Sequence, residues 1–228
     1  MKARFESSAP HLRPALKWRS CASANAQGLV LYRSPDRLVE VGIRRWEPGG
    51  EELTCERGLL VYFFRGRGQA QGDSKEPLEI TPGTLVHFKG SWQGELHITE
   101  PVEATYMSCE GGTSGDASLA RDVLHAAPLK DWGAIPTMID GRSLTSGILL
   151  SREPNGRAES GIWTCTPGTW RCEVTADEFC HFLDGSCTYT HESGERIEIT
   201  PDTLAFFPQG WRGVCEVRQT IRKVYMIR

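Results

Sequence analysis

The sequence predicts an all-β chain in which one structural unit is used twice, and two observations carry that expectation. The first is a repeat: "ITPGTLVHFKGSWQGELHITEPVEATYM" (80–107) returns as "ITPDTLAFFPQGWRGVCEVRQTIRKVYM" (199–226). At an offset of 119 residues, 28–107 align with 147–226 without a gap, and 24 of the 80 positions are identical. The identities are mostly Gly, Pro and apolar residues, which fix turns and cores, so the pattern reads as a tandem duplication of one backbone. The second observation is rhythm. Short runs rich in β-branched and aromatic residues alternate with Gly, Pro, Asp and Ser turns about every ten residues, the spacing of a sandwich or barrel.

Residues 1–20, "MKARFESSAPHLRPALKWRS", have no apolar stretch between their charges and are expected to be an arm, lying on a partner barrel or loose, rather than a secretory signal. The first unit is expected over 21–112, with strands such as "GLVLY", "VGIRRW" and "LLVYFFRG". A linker follows at 113–140. Within it, Leu119, Val123, Leu124 and Ala127 recur at helical spacing, with Asp116 or Ser118 as a cap and Pro128 as a stop, predicting a short helix over 116–132. The second unit spans 141–228, with strands "GILLS", "SGIWTC", "FCHFLDG", "SCTYTHES", "ERIEIT", "TLAFFP" and "VCEVRQTIRKVYMI".

Composition removes several function classes. The 228 residues carry 26 basic and 29 acidic side chains, a net charge of −3, with no basic run. Neither nucleic acid nor an anionic membrane is therefore an expected partner. No stretch approaches the roughly 18 apolar residues of a membrane span, and a cytoplasmic protein is expected. The eight cysteines never form a CxxC pair and read as small core hydrophobes of a reducing compartment. No Ser-His-Asp spacing or phosphate loop is present, and "GRGQAQG" (66–72) lacks the helix that a dinucleotide fingerprint requires.

The run from Gly161 to Ile227 carries a Trp, Pro-Gly, Asp-Glu-Phe, Leu-x-Gly, Phe-Phe-Pro-x-Gly-Trp and a closing "IRKVY". It resembles the (S)-ureidoglycine aminohydrolase-type cupin domain family. The first unit is recognised through its alignment with the second. The resemblance implies a bicupin: tandem double-stranded β-helix (jelly-roll) barrels, often dimeric, so a homodimer is expected. Cupins hold a metal at the barrel mouth through His-x-His, a Glu and a later His. Transferred to this chain, those positions are Cys172, Val174, Glu178 and Gly213 in the second unit. In the first, Leu59 stands for Glu178 and Gly94 for Gly213, so no site is expected there. One carboxylate without imidazole is a poor ligand set. No cofactor is therefore predicted; a divalent Mn, Zn or Fe is disfavoured, and Glu178, Cys172 and Cys180 are the residual candidates for holding one.

Strand alternation puts Trp170, Cys172 and Val174 on one face and Glu178 with Cys180 on a neighbouring one. The candidate pocket is Trp163, Trp170, Cys172, Glu178, Cys180, Tyr189 and Trp211. Glu178, desolvated, is expected to have a raised pKa and to act as proton carrier or ligand anchor. The competing reading leaves Asp177 and Glu178 in a solvated loop. Trp211 and Trp92 share a position in both units, which favours packing at the mouth. "PQGWRG" is expected to keep a Pro-x-Gly turn that "KGSWQG" loses. His191 is expected at the surface, His181 facing away from Cys180, and His87 in a barrel wall. Arg218, Arg222 and Lys223 are expected on a charged outer face. The leading expectation is a bicupin that binds a small polar metabolite in its second barrel without a standard metal. The alternatives are an enzyme of nitrogen or amino-acid metabolism resembling the aminohydrolases, and a structural or sensory protein with no ligand.

Overall fold

The computed structural model describes residues 15–19, 28–73, 76–109, 118–120, 128–152 and 158–228. A short first strand, β1 (Leu16–Arg19), precedes the repeat. The first barrel follows as β2 (Leu29–Arg33), β3 (Val39–Trp46), β4 (Gly49–Cys55), β5 (Gly58–Gln71), β6 (Leu78–Ile80), β7 (Thr84–Phe88) and β8 (Trp92–Cys109), then β9 (Ser118–Ala120). The remainder is β10 (Lys130–Ala134), β11 (Met138–Asp140), β12 (Leu144–Arg152), β13 (Glu159–Cys165), β14 (Gly168–Glu173), β15 (Glu178–His191), β16 (Arg196–Ile199), β17 (Thr203–Phe207) and β18 (Arg212–Ile227). The fold is all-β, a tandem of jelly-roll barrels, with no helix among the described residues. None of the described residues forms a helix long and apolar enough to cross a membrane.

The linker helix is not formed where it is described: residues 118–120 are β9, hydrogen-bonded antiparallel to β7, and 130–134 are β10, paired with β12. Sheet edges supply backbone partners for these two stretches, which outweighs a weak 3.6-residue period. Val123, Leu124 and Ala127 lie outside the described residues. The chain divides into two compact units, one of residues 1–19, 130–147 and 163–227, the other of 20–129 with 148–162 and 228. The described part of the arm, residues 15–19, thus belongs with the second barrel: β1 pairs with β17, Leu16 opposite Phe206 and Trp18 opposite Leu204.

Within the first unit, β5 lies between β7 and β8, β8 also pairs with β3 and β4, and β6 pairs with β5. In the second, β15 pairs with β16, β17 and β18, and β14 with β18. "FCHFLDG" and "SCTYTHES", expected as two strands, are one strand bent by register shifts between Phe182 and Cys187. The bend centres on Gly185, at φ 81°, where a Cβ would overlap the carbonyl oxygen of Thr220. Gly66 repeats this at φ 84° against Pro101, so the shared glycine is a steric requirement of the bulge.

The strands recur at the 119-residue offset, β7 on β17 throughout, and so does the Arg–Glu pair linking Arg33 to Glu40 at 2.8 Å and Arg152 to Glu159 at 2.6 Å. The tight turn recurs too. Trp211 N donates to the Pro208 carbonyl at 3.0 Å, and Trp92 N to that of Lys89 at 3.1 Å. The expected loss of the turn in "KGSWQG" is therefore wrong: Ser91 adopts φ 70° where Gly210 has φ 85°. Two backbone bonds hold the shape, at the cost of a left-handed serine.

Each unit has its own apolar core. Leu59, Val61, Phe63, Phe88, Ala104 and Tyr106 belong to the first, and Phe182, Tyr189, Phe207, Trp211, Ile221 and Tyr225 to the second.

Candidate functional site

The interior of the second barrel is built by alternation on three strands. On β14, Trp170 and Cys172 turn inward; on β15, Glu178, Cys180, Phe182 and Tyr189 do; and on β18, Cys215, Val217, Ile221 and Tyr225 do. Lys223 falls in phase with Ile221 and Tyr225 and is buried. It is not on the outer charged face expected for "RQTIRK". Arg218 does face outward and donates to Thr188 Oγ1 and, at 2.8 Å, to Glu198.

Lys223 Nζ donates to Glu178 Oε1 at 2.6 Å, and the Cys180 thiol donates to the same oxygen at 3.2 Å. The two charged side chains are 9% and 18% exposed. The ammonium also lies 4.9 Å from the ring centre of Trp163 and 5.7 Å from that of Phe182, so two aromatic faces share its charge. Glu178 is the first residue of β15, not part of a solvated loop.

This pairing reverses the expected protonation of Glu178. Burial works to raise its pKa, but the Lys223 charge and hydrogen bond, with the Cys180 thiol, hold it below the ordinary carboxylate value. Burial likewise opposes the charge on Lys223, and the nearby Cys180 sulfur and Glu178 carboxylate more than offset it, keeping the ammonium above the usual lysine range. The site is an ionised pair, not a proton carrier poised near neutrality. Burial, with Glu178 beside it, pushes Cys172 up to about 12, and burial also raises Cys180 and Tyr189, so these three are neutral.

Trp163, Trp170, Cys172, Cys180, Tyr189 and Trp211 all belong to or pack on this one core. Trp211 contacts Tyr189 and Phe207 edge-on at 5.9 and 5.4 Å between ring centres. Its indole N–H, in a residue 1% exposed, has no acceptor among the described residues. His191, expected at the surface, is buried beside Trp211, ring centres 5.6 Å apart, with Nδ1 2.8 Å from Ser193 Oγ. Stacking on the indole removes it from water despite its turn-like sequence. His181 is buried 3.8 Å from Asp202, and burial lowers its pKa; His87 is buried in β7. A cavity of about 850 Å³ lies between Ile135, Thr137, Trp170, Cys172, His191 and Gly213, and neither Glu178 nor Lys223 lines it.

The donors present do not fit the metal of a standard cupin site. A Cβ on Gly213, where the later histidine would stand, would overlap the Thr190 carbonyl oxygen and lie 2.7 Å from the Trp211 ring. Gly94 is closed in the same way by Gln71 and, at 2.5 Å, by Trp92. The one carboxylate is bonded to an ammonium, both thiols are protonated, and no cluster of three His, Cys, Asp or Glu suited to a metal occurs among the described residues.

Two features were legible but missed. Lys223 shares the inward phase of Ile221 and Tyr225. In the repeat alignment, moreover, Glu178 and Lys223 fall on Leu59 and Ala104, so both charges are present in one copy and both absent from the other.

Residues 152–225 match the family model of the EutQ-like cupin domain. No curated protein matches the chain. A protein of unknown function of the DUF861 family from Pseudomonas syringae pv. tomato is similar in structure, with TM-score 0.75 and 13% identity over 94% of this chain and 99% of that one. Protein Ylba from E. coli, also DUF861, gives 0.67 and 10% over 98% and 94%. An oxalate decarboxylase from Bacillus subtilis gives 0.57 and 10% over 92% and 76%. Such identities carry the fold alone: this is a tandem of jelly-roll barrels, and its second barrel contains the matched cupin domain.

Proposed function

We propose that the second barrel binds a small polar metabolite, anchored at Glu178, without the divalent metal usual in this fold. The observation that carries this reading is the ionised Glu178–Lys223 pair inside one barrel of two. A buried ion pair adds no stability over well-packed apolar groups of the same size, and the first barrel fills these two positions with Leu59 and Ala104. Packing therefore does not account for the pair. Oε1 accepts both hydrogen bonds, leaving Oε2 and further ammonium N–H groups to meet a ligand, and the indole N–H of Trp211 offers another buried donor. Trp163 and Trp170, in edge-to-face contact at 6.4 Å between ring centres, form an aromatic surface beside the pair. The 119-residue recurrence supports an internal duplication in which one copy kept or acquired the site.

The test is a thermal-shift screen with ureido compounds, amino acids and sugars on the wild type and on the double variant Glu178→Leu/Lys223→Ala, which installs the first barrel's residues. Stabilisation of the wild type and none of the folded double variant is expected. Equal stabilisation of both, or none of the wild type, would sink the proposal. Elemental analysis tests the metal clause: stoichiometric Mn, Zn or Fe, absent from Glu178→Ala, would overturn it. A second reading, an enzyme acting on a small nitrogen compound, draws on the aminohydrolase-like motifs over 161–227 and on the likeness to DUF861 structures. Turnover of a stabilising compound would establish it.

A further inference from the structure

The charge inventory of the second barrel narrows the chemistry of its ligand. Among the described buried residues of the whole chain, Lys223 is the only Lys, Arg, Asp or Glu. Its charge is met by one carboxylate, that of Glu178, at 2.6 Å. Burial raises the other thiols around the pair, Cys165, Cys172, Cys180 and Cys215, and the Tyr189 phenol, so these stay neutral, and it lowers His181 on the opposite face of β15. The pair is thus a fixed dipole with no net charge. An anionic ligand would find the single cation already neutralised, and a cationic ligand the single carboxylate already neutralised. Either would bring an uncompensated charge into a water-poor interior, which costs more than the new hydrogen bonds return. An uncharged ligand escapes that cost.

The hydrogen-bonding capacity of the pair is equally specific. Among the described residues both bonds to Glu178 fall on Oε1, and its Oε2 can only accept; the ammonium of Lys223 donates only. They belong to groups in direct contact and are locked together by the 2.6 Å bond. A ligand engaging both therefore presents its donor and its acceptor side by side. The Trp163 ring covers one side of the ammonium at 4.9 Å, so a ligand reaches the pair from the sides the indole leaves open.

We propose that the second barrel reads an uncharged small molecule carrying a hydrogen-bond donor and an acceptor side by side on one carbon, with Glu178 Oε2 taking the donor and Lys223 Nζ serving the acceptor. A primary amide is the simplest such group. This inference rests on the binding reading above and assigns Lys223 as a ligand-contacting partner equal to Glu178. In the first barrel Leu59 and Ala104 remove both halves of the reader together.

Three isosteric probes separate the possibilities: acetamide, acetate and acetamidinium share shape and size and differ in charge. Each is titrated, in the tens of millimolar, into full-length protein labelled at lysine Cε, and the Lys223 resonance is followed by NMR. That resonance is assigned by its loss in Glu178→Leu/Lys223→Ala, or in Lys223→Arg should the double variant not fold. Acetamide is expected to move the Lys223 signal in a saturable way, and acetate and acetamidinium to leave it in place. A saturable shift with acetate or acetamidinium, equal to or larger than that with acetamide, overturns the charge class while leaving a polar-ligand site standing. If none of the three moves the Lys223 signal, the adjacent donor–acceptor reader is wrong. The thermal-shift screen then decides independently whether the barrel binds anything polar at all.

Discussion

Leu59 and Ala104 hold two places inside one barrel where Glu178 and Lys223 stand in the other, and around those places the two copies are built alike. Both bend their long strand at a glycine pressed against a carbonyl, close a turn through a backbone bond to residue 89 or 208, and seat a tryptophan beside a glycine that admits no side chain. Backbone devices are shared because they are steric necessities of the same curve. The interior pair is not shared because it answers to no such necessity. What differs between equivalent positions of one chain is therefore a better pointer to function here than what agrees.

The comparison is broken most severely by removing one charge. Lys223→Ala leaves the Glu178 carboxylate buried with the Cys180 thiol but no counter-charge, and a loss of about 3–5 kcal/mol is expected in chemical denaturation. The double variant Glu178→Leu/Lys223→Ala, by contrast, is expected to unfold within about 1 kcal/mol of the wild type or above it. If the single variant were as stable as the double, the ion pair would not be the buried, mutually dependent unit described. Next in size is Gly213→Ala, which forces a methyl group against the Thr190 carbonyl and the Trp211 ring. It should cost about 3 kcal/mol, and Gly94→Ala a similar amount in the first barrel.

The pair also sets a pH signature that the first barrel lacks. Glu178 has a folded pKa below its unfolded value, so its contribution is present above the unfolded carboxylate pKa and is lost as pH falls through the depressed value. Lys223 has a folded pKa above its unfolded value; its contribution is complete below the unfolded lysine pKa and fades as pH rises through the raised one. Between those limits the pair adds a plateau. Denaturation midpoints measured across pH should fall at both ends in the wild type, and the two falls should flatten in the double variant. The smallest expected effect is at the turn: Ser91→Gly should stabilise by roughly 0.5–1 kcal/mol, and Gly210→Ser should cost about as much.

Much of this was legible before any coordinates. The repeat gave the tandem fold, and strand alternation brought Trp170, Cys172, Glu178 and Cys180 to one interior. What escaped has identifiable causes. Lys223 lies between arginines, and a cluster of three cations reads as a solvated face unless the inward phase of Ile221 and Tyr225 is followed through it. The sign of the Glu178 shift depended on that lysine and was missed with it. His191 sits in a turn-like "THESGE" and is buried by contact with Trp211, 20 residues away in sequence. The apolar spacing around Leu119 suggested a helix because nothing local signals the β7 edge waiting for a partner strand. Ser91 keeps its turn through bonds that its own side chain does not advertise.

The interlock of Trp211 with Gly213, and of Trp92 with Gly94, fixes the order in which such a chain is able to change. A histidine introduced at 213 meets the Thr190 carbonyl and the indole before it meets any ion, so a mutant gene carrying that one codon change makes a weakened barrel and gains no ligand. Cutting back the indole first opens a hole in the core with equally little return. Both single steps lower stability without gaining a ligand, so the Trp–Gly interlock holds each barrel in its present chemistry like a ratchet.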